Sequence, residues 1–219
     1  MEKTITSSRL SQVITSHHVL RNTYLLLALT LTFSALTATA STLLNLPAPG
    51  FILTLAGFYG LMYLTHRLAD RPVGILAAFA FTGFLGYCLG PILSRYLSLG
   101  MGETIAFALA GTAVVFFCCS AYVLTTRRDM SFLQGMLVTG FVVLLVAVIA
   151  NLFLHLPALQ MTISVLFILF SSAAILWETS NIVQGGETNY IRATVSLYVS
   201  LYNIFVSLLS LLGITSRND

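Results

Sequence analysis

The chain has 219 residues, yet only 8% of them are charged, against about 25% in soluble globular proteins. Hydrophobic residues make up 58% and the mean hydropathy is +0.95. Ten Lys and Arg with seven Asp and Glu cannot cover the surface of a soluble 23.8 kDa protein. That excludes a soluble enzyme, and a disordered chain is excluded because it needs low hydrophobicity and high charge. An integral membrane protein remains.

The net charge of +3 does not point to nucleic acid, because the basic residues are scattered in ones and twos and form no basic face. Residues 1–22, rich in Ser and Thr and ending in His17-His18 and Arg21, read as a flexible cytosolic tail with too little apolar surface to fold alone. Two adjacent histidines in such a tail make a poor metal cage. The first membrane span is expected at Thr23–Leu44. Ala38-Thr39-Ala40 resembles a signal-peptidase site, but the apolar run continues past it and further spans follow, so the span is retained.

A short second span follows at Gly50–Thr65, its entrance extended by Leu46, Pro47 and Pro49. The third, Val73–Leu93, carries Gly83, Gly86 and Gly90 on one face, which suits close helix contact. Pro91 after them suggests a kink or break, a feature that marks binding sites in some transporters. Thr104–Leu124 and Phe132–Leu154 form the fourth and fifth spans, and Leu156–Trp177, entered through Pro157, the sixth. Segments such as VVFFCC (114–119) and FVVLLVAVIA (141–150) are continuously apolar, so helices are expected rather than the alternating strands of a barrel. Cys88, Cys118 and Cys119 all fall in apolar stretches and read as inert small residues.

Glu178 directly follows Trp177, and reads either as a solvated interfacial acid or as a buried proton-sensitive group, with Arg67 as a candidate partner. Gly185-Gly186 is a turn. In the seventh span, Ile191–Leu212, residues Ser196, Ser200, Asn203, Ser207 and Ser210 recur at four- and three-residue steps, forming one polar stripe. The stripe is either a packing seam or the lining of a polar path, and in both cases the last helix should lie buried among the others. With the N-terminus in the cytosol, Lys3, Arg9, Arg21, Arg67, Arg71, Arg127, Arg128 and Arg192 lie inside, and Arg95 and Arg217 outside. Eight against two follows the positive-inside rule and puts the tail from 214 to 219 on the periplasmic face. No HExxH, P-loop or GxSxG motif occurs, so no catalytic residue, cofactor or metal is expected.

The short-looped spans, the segment FTGFLGYCLGPI (81–92) and the closing run ETSNIVQGGETNYIRATVSLYVSLYNIFVSLLSLLG (178–213) resemble the Bax inhibitor-1 family over nearly the whole chain. The resemblance implies an all-α integral membrane fold of seven transmembrane helices, in the bacterial inner membrane. It also implies a non-enzymatic modulator of the ATP-dependent membrane protease FtsH and its HflK–HflC partners, at once binding partner and slow substrate. The cytosolic residues 1–22 would be the handle for extraction, and the membrane domain 23–213 the part that resists it. Some relatives instead behave as pH-sensitive calcium leaks, through an acidic pair on helices six and seven that shares a proton. Glu178 matches the first acid, but the second falls at Ser200, which cannot titrate, so the shared-proton mechanism does not carry over intact. Glu178, Ser200, Asn203 and Arg67 are the candidate pH-sensing or ion-path residues. Calcium or proton permeation is the alternative function.

Overall fold

The computed structural model describes the backbone of residues 2–215 and the side chains of residues 16–214. Within those bounds it is all helical: α1 (Glu2–Leu43), α2 (Phe51–Leu68), α3 (Val73–Ser98), α4 (Gly102–Thr126), α5 (Leu133–Leu154), α6 (Pro157–Gln184) and α7 (Tyr190–Thr215). Each expected span corresponds to one helix. Most helices run a turn or so beyond the apolar window, because their last polar residues lie outside hydrocarbon and still obey the helical backbone pattern. Six helices are long and apolar enough to cross a membrane. The other is α2, whose 18 residues span about 27 Å and end in His66-Arg67, whose polar tips can snorkel to the interface.

Two helices run further than the expected spans. Helix α1 continues back through the segment read as a flexible tail, and its 42 residues reach about 63 Å, twice the hydrocarbon thickness. No glycine or proline occurs before Pro47, so nothing in the sequence interrupts the helix once the membrane span has nucleated it. Pro91 does not break α3 either, which runs unbroken to Ser98. A proline removes one N–H, and here the Tyr87 carbonyl loses its intrahelical donor. The Ser41 hydroxyl of α1 replaces that donor at 3.1 Å. The expected C-terminal tail falls almost wholly outside the described residues.

The chain divides into two compact units. The first comprises Met1–Gly100 and Gly185–Tyr198, which hold α1, α2, α3 and the first part of α7. Its centre is α3, packed on both α1 and α2. The glycine face sets the approach to α1. A Cβ at Gly86 would collide with Thr37 and the Ser34 carbonyl, one at Gly90 with Ser41, and one at Gly83 would come within 2.6 Å of the Phe33 ring. Two hydroxyls of α1 then reach backbone carbonyls of α3, Ser41 to Tyr87 and Thr42 to Gly90 (3.2 Å). On the other side, Gly57 of α2 accommodates the Phe84 ring. Without a hydrophobic drive between helices in lipid, such close contact and interhelical hydrogen bonding hold the group together.

The second unit comprises Met101–Gln184 and Val199–Asp219. Helix α6 packs on α4 and α5. Where α4 ends, Arg127 takes a left-handed conformation (φ 49°) and its N–H closes the helix on the Val123 carbonyl. The following turn packs Met130 and Leu133 with Val123, Leu176 and Trp177.

Candidate functional site

Helix α7 carries the densest set of buried polar contacts. At its start, Asn189 accepts from the backbone N–H of Ile191 (2.9 Å) and Arg192 (3.2 Å), and so caps the helix. The same side chain donates to the Ala69 carbonyl and to Asp70, both at 2.9 Å. Arg192 closes the arrangement with an ion pair to Asp70 at 2.7 Å. The α2–α3 turn is thereby tied to the start of α7. One turn further in, Thr194 donates to the Tyr190 carbonyl and also approaches the Thr23 carbonyl of α1 at 3.2 Å. Tyr198 is buried, its hydroxyl 2.5 Å from Ser34 Oγ of α1 and 3.3 Å from the Thr82 carbonyl of α3. Three helices therefore meet at one phenol oxygen. Ser196, on the same segment, is half-buried.

In the second unit the polar stripe continues. Ser200 and Ser207 are buried, and Asn203 and Ser210 are half-buried. Asn203, Ser207 and Ser210 line a pocket of about 230 Å³ together with Asn151 of α5 and Gln160 and Ser164 of α6. Asn151 donates to Gln160 at 2.8 Å across the pocket wall. This stretch of the stripe therefore faces a mainly apolar pocket, with Val148, Leu152, Ile163, Phe167 and Val206 also on its wall.

Glu178 is buried, with 4% of its surface exposed, and the residue is not without a partner. Around it the end of α6 is tied to the α4–α5 turn. Ser180 Oγ donates to the Arg128 carbonyl (3.1 Å) and accepts from Met130 N–H (3.0 Å), and Gln184 donates to the Arg127 carbonyl (3.0 Å). Thr179 and Ser171 on the same helix are also buried. Arg67, by contrast, is exposed and bonds within its own helix, donating from Nε to Tyr63 Oη at 2.9 Å with its guanidinium 5.7 Å from the Tyr63 ring centre.

Sequence reasoning missed Tyr198, Asp70 and Asn189. A tyrosine in an apolar helix reads as an ordinary interfacial or lipid-facing residue, and its partners lie 164 and 116 residues away. For Asn189 a signal was present: an Asn directly before an apolar periodic run is a helix N-cap. Among the described residues no group of three or more His, Cys, Asp or Glu is placed to hold a metal ion.

Comparison with known proteins identifies the family. The family model described as "Inhibitor of apoptosis-promoting Bax1" matches residues 16–217. The chain is 68% identical, over the full length of both proteins, to the Escherichia coli (strain K12) protein named "Modulator of FtsH protease YccA". It is 58% identical to an uncharacterized protein of Pasteurella multocida, over 98% of each chain. It is 56% identical to one of Pseudomonas aeruginosa, over 92% of this chain and 91% of the other. A family match over nearly all of the chain, joined to full-length relatives well above half identity, places this multi-pass helical membrane protein in the Bax inhibitor-1 family.

Proposed function

We propose that the protein is an inner-membrane modulator of an FtsH-type ATP-dependent protease, acting by binding rather than by catalysis, and itself a slow substrate. The observation that carries this is the full-length 68% identity to the E. coli modulator of FtsH protease. A relative printed as "Inner membrane protein YccA" supports the compartment. The fold supports the mechanism. A protease that extracts membrane proteins needs a cytosolic segment to grip and must then pull helices apart. Residues 1–22 precede the first span, and α1, the first helix to be pulled, is held to α3 through Gly86 and Gly90 and bonded to α7 through Ser34 and Thr23. Slow extraction occupies the protease and spares other substrates. In this reading the N-terminus is cytosolic, the C-terminus periplasmic, and HflK–HflC accompany the protease.

Deleting residues 2–18 should abolish degradation by the protease in membranes while leaving insertion and co-purification with FtsH and HflK–HflC intact. Turnover is followed by a pulse–chase and binding by capture in mild detergent. Turnover of the truncated protein at the full-length rate would remove the handle from the mechanism, and failure to recover the protease with the full-length chain would remove the function itself.

A second reading, an ion leak, is favoured by one observation, the burial of Glu178 in α6. It predicts pH-dependent calcium or proton flux in liposomes that Glu178→Gln alters. Ser200, also buried, supplies no second carboxylate. A folded, inserted preparation that passes neither ion eliminates this reading.

A further inference from the structure

The first unit holds a second pocket, where α1 and α3 end side by side. It is an open recess of about 310 Å³ lined by Ser41, Asn45, Leu46, Pro91, Ser94, Arg95 and Ser98. Arg95 is exposed, and among the described residues it takes part in no ion pair. Two helix C-termini would ordinarily make such a place negative. Here most of the terminal carbonyls are already occupied. Those of Ala40, Ser41 and Thr42 accept from Leu44, Leu46 and Asn45 N–H, and those of Tyr96 and Leu97 from Leu99 and Gly100 N–H. Ser41 and Ser98 hydroxyls donate to the Tyr87 and Arg95 carbonyls. With most of these carbonyls engaged, the pocket can present the guanidinium fork of Arg95, the Ser94 hydroxyl and the Asn45 amide NH2 as donors.

A planar cationic fork beside neutral donors suits the oxygens of a phosphate group. The rim identifies the source. Leu46, which lines the pocket, is exposed, and so are Leu43, Leu44, Leu97 and Leu99, which flank the pocket residues in sequence, at helix ends of the kind where lipid headgroups meet acyl chains. Free phosphate shares the headgroup chemistry but has no use for that apolar rim. We infer that this pocket binds the phosphate of an anionic glycerophospholipid, with its acyl chains lying along the exposed leucines. The inference stands whichever way the protein is oriented, and it is independent of the proposed partner.

Full-length protein in detergent is titrated with phosphatidylglycerol, phosphatidylcholine or inorganic phosphate, and retained lipid is read by native mass spectrometry alongside the thermal unfolding midpoint. Phosphatidylglycerol should be retained and should raise the midpoint. Arg95→Gln should weaken its binding by about tenfold or more, the scale of a lost charge-assisted hydrogen-bond pair. Ser94→Leu, which fills the pocket and keeps the charge, should weaken it too. Arg71→Gln removes the same charge at the opposite end of α3 and should leave binding unchanged. Wild-type retention by Arg95→Gln would overturn the assignment, and so would phosphatidylcholine binding equally well. An equal midpoint shift from inorganic phosphate would overturn the lipid and assign a free anion.

Discussion

Gly86→Leu is expected to lose about 3 kcal/mol or more of stability, at or beyond the upper end of the usual range for overpacking a close contact. A Cβ alone at this position collides with the Ser34 carbonyl, which is backbone and cannot rotate aside. Helix α1 must therefore move outward, and the hydrogen bonds that Ser41 and Thr42 make to α3 go with it. So does the Ser34–Tyr198 contact that joins α1 to α7. The measurement is the denaturation midpoint in detergent, with size-exclusion behaviour as a check on folding. Gly60→Ala is the matched control, since nothing lies within 4 Å of its Cβ. It should be neutral or gain about 0.5–1 kcal/mol from the better helix former. A Gly86→Leu protein as stable as the wild type would show that α3 does not lie this close to α1.

The second large effect is conditional. Ser41→Ala should cost about 1–3 kcal/mol, because it leaves the Tyr87 carbonyl, already deprived of its helical donor by Pro91, with no replacement. Restoring the helical donor with Pro91→Ala should make the same serine largely dispensable. The two substitutions together should then be much less harmful than the sum of their separate effects predicts, and a double-mutant cycle reads the coupling directly. Strict additivity would mean that Ser41 contributes through packing alone and that the proline and the serine are not linked.

The spans were legible because lipid imposes a simple rule: about 20 apolar residues make a helix that can satisfy its own backbone. The rule says nothing about where a helix stops outside the membrane, which is why α1 begins far upstream of Thr23 and α3 runs past Leu93. It overstated Pro91 for a similar reason. A proline breaks a helix when its orphaned carbonyl has no other donor, and the donor here comes from a helix 46 residues away. Stripes were legible on α3 and α7 because periodicity is local. What each stripe faces was not. The glycines of α3 meet α1 in the first unit, and the lower part of the α7 stripe meets Asn151 and Gln160 in the second. Arg67 shows the same limit from the other side. A candidate long-range partner was considered from sequence, while Tyr63, one turn back on the same helix, takes its hydrogen bond.

The most apolar helix, α5, buries only Leu133 and Leu144 of its 22 residues. Most of the other positions are exposed, where valine, leucine and isoleucine serve equally well. Over evolutionary time its sequence should be free to drift within an apolar alphabet, constrained more by composition than by identity. The record of common descent should therefore be uneven along the chain. It should be deepest in α3 and α7, where each side chain has a particular neighbour, and shallowest in the helix that looks most emphatically like a membrane span.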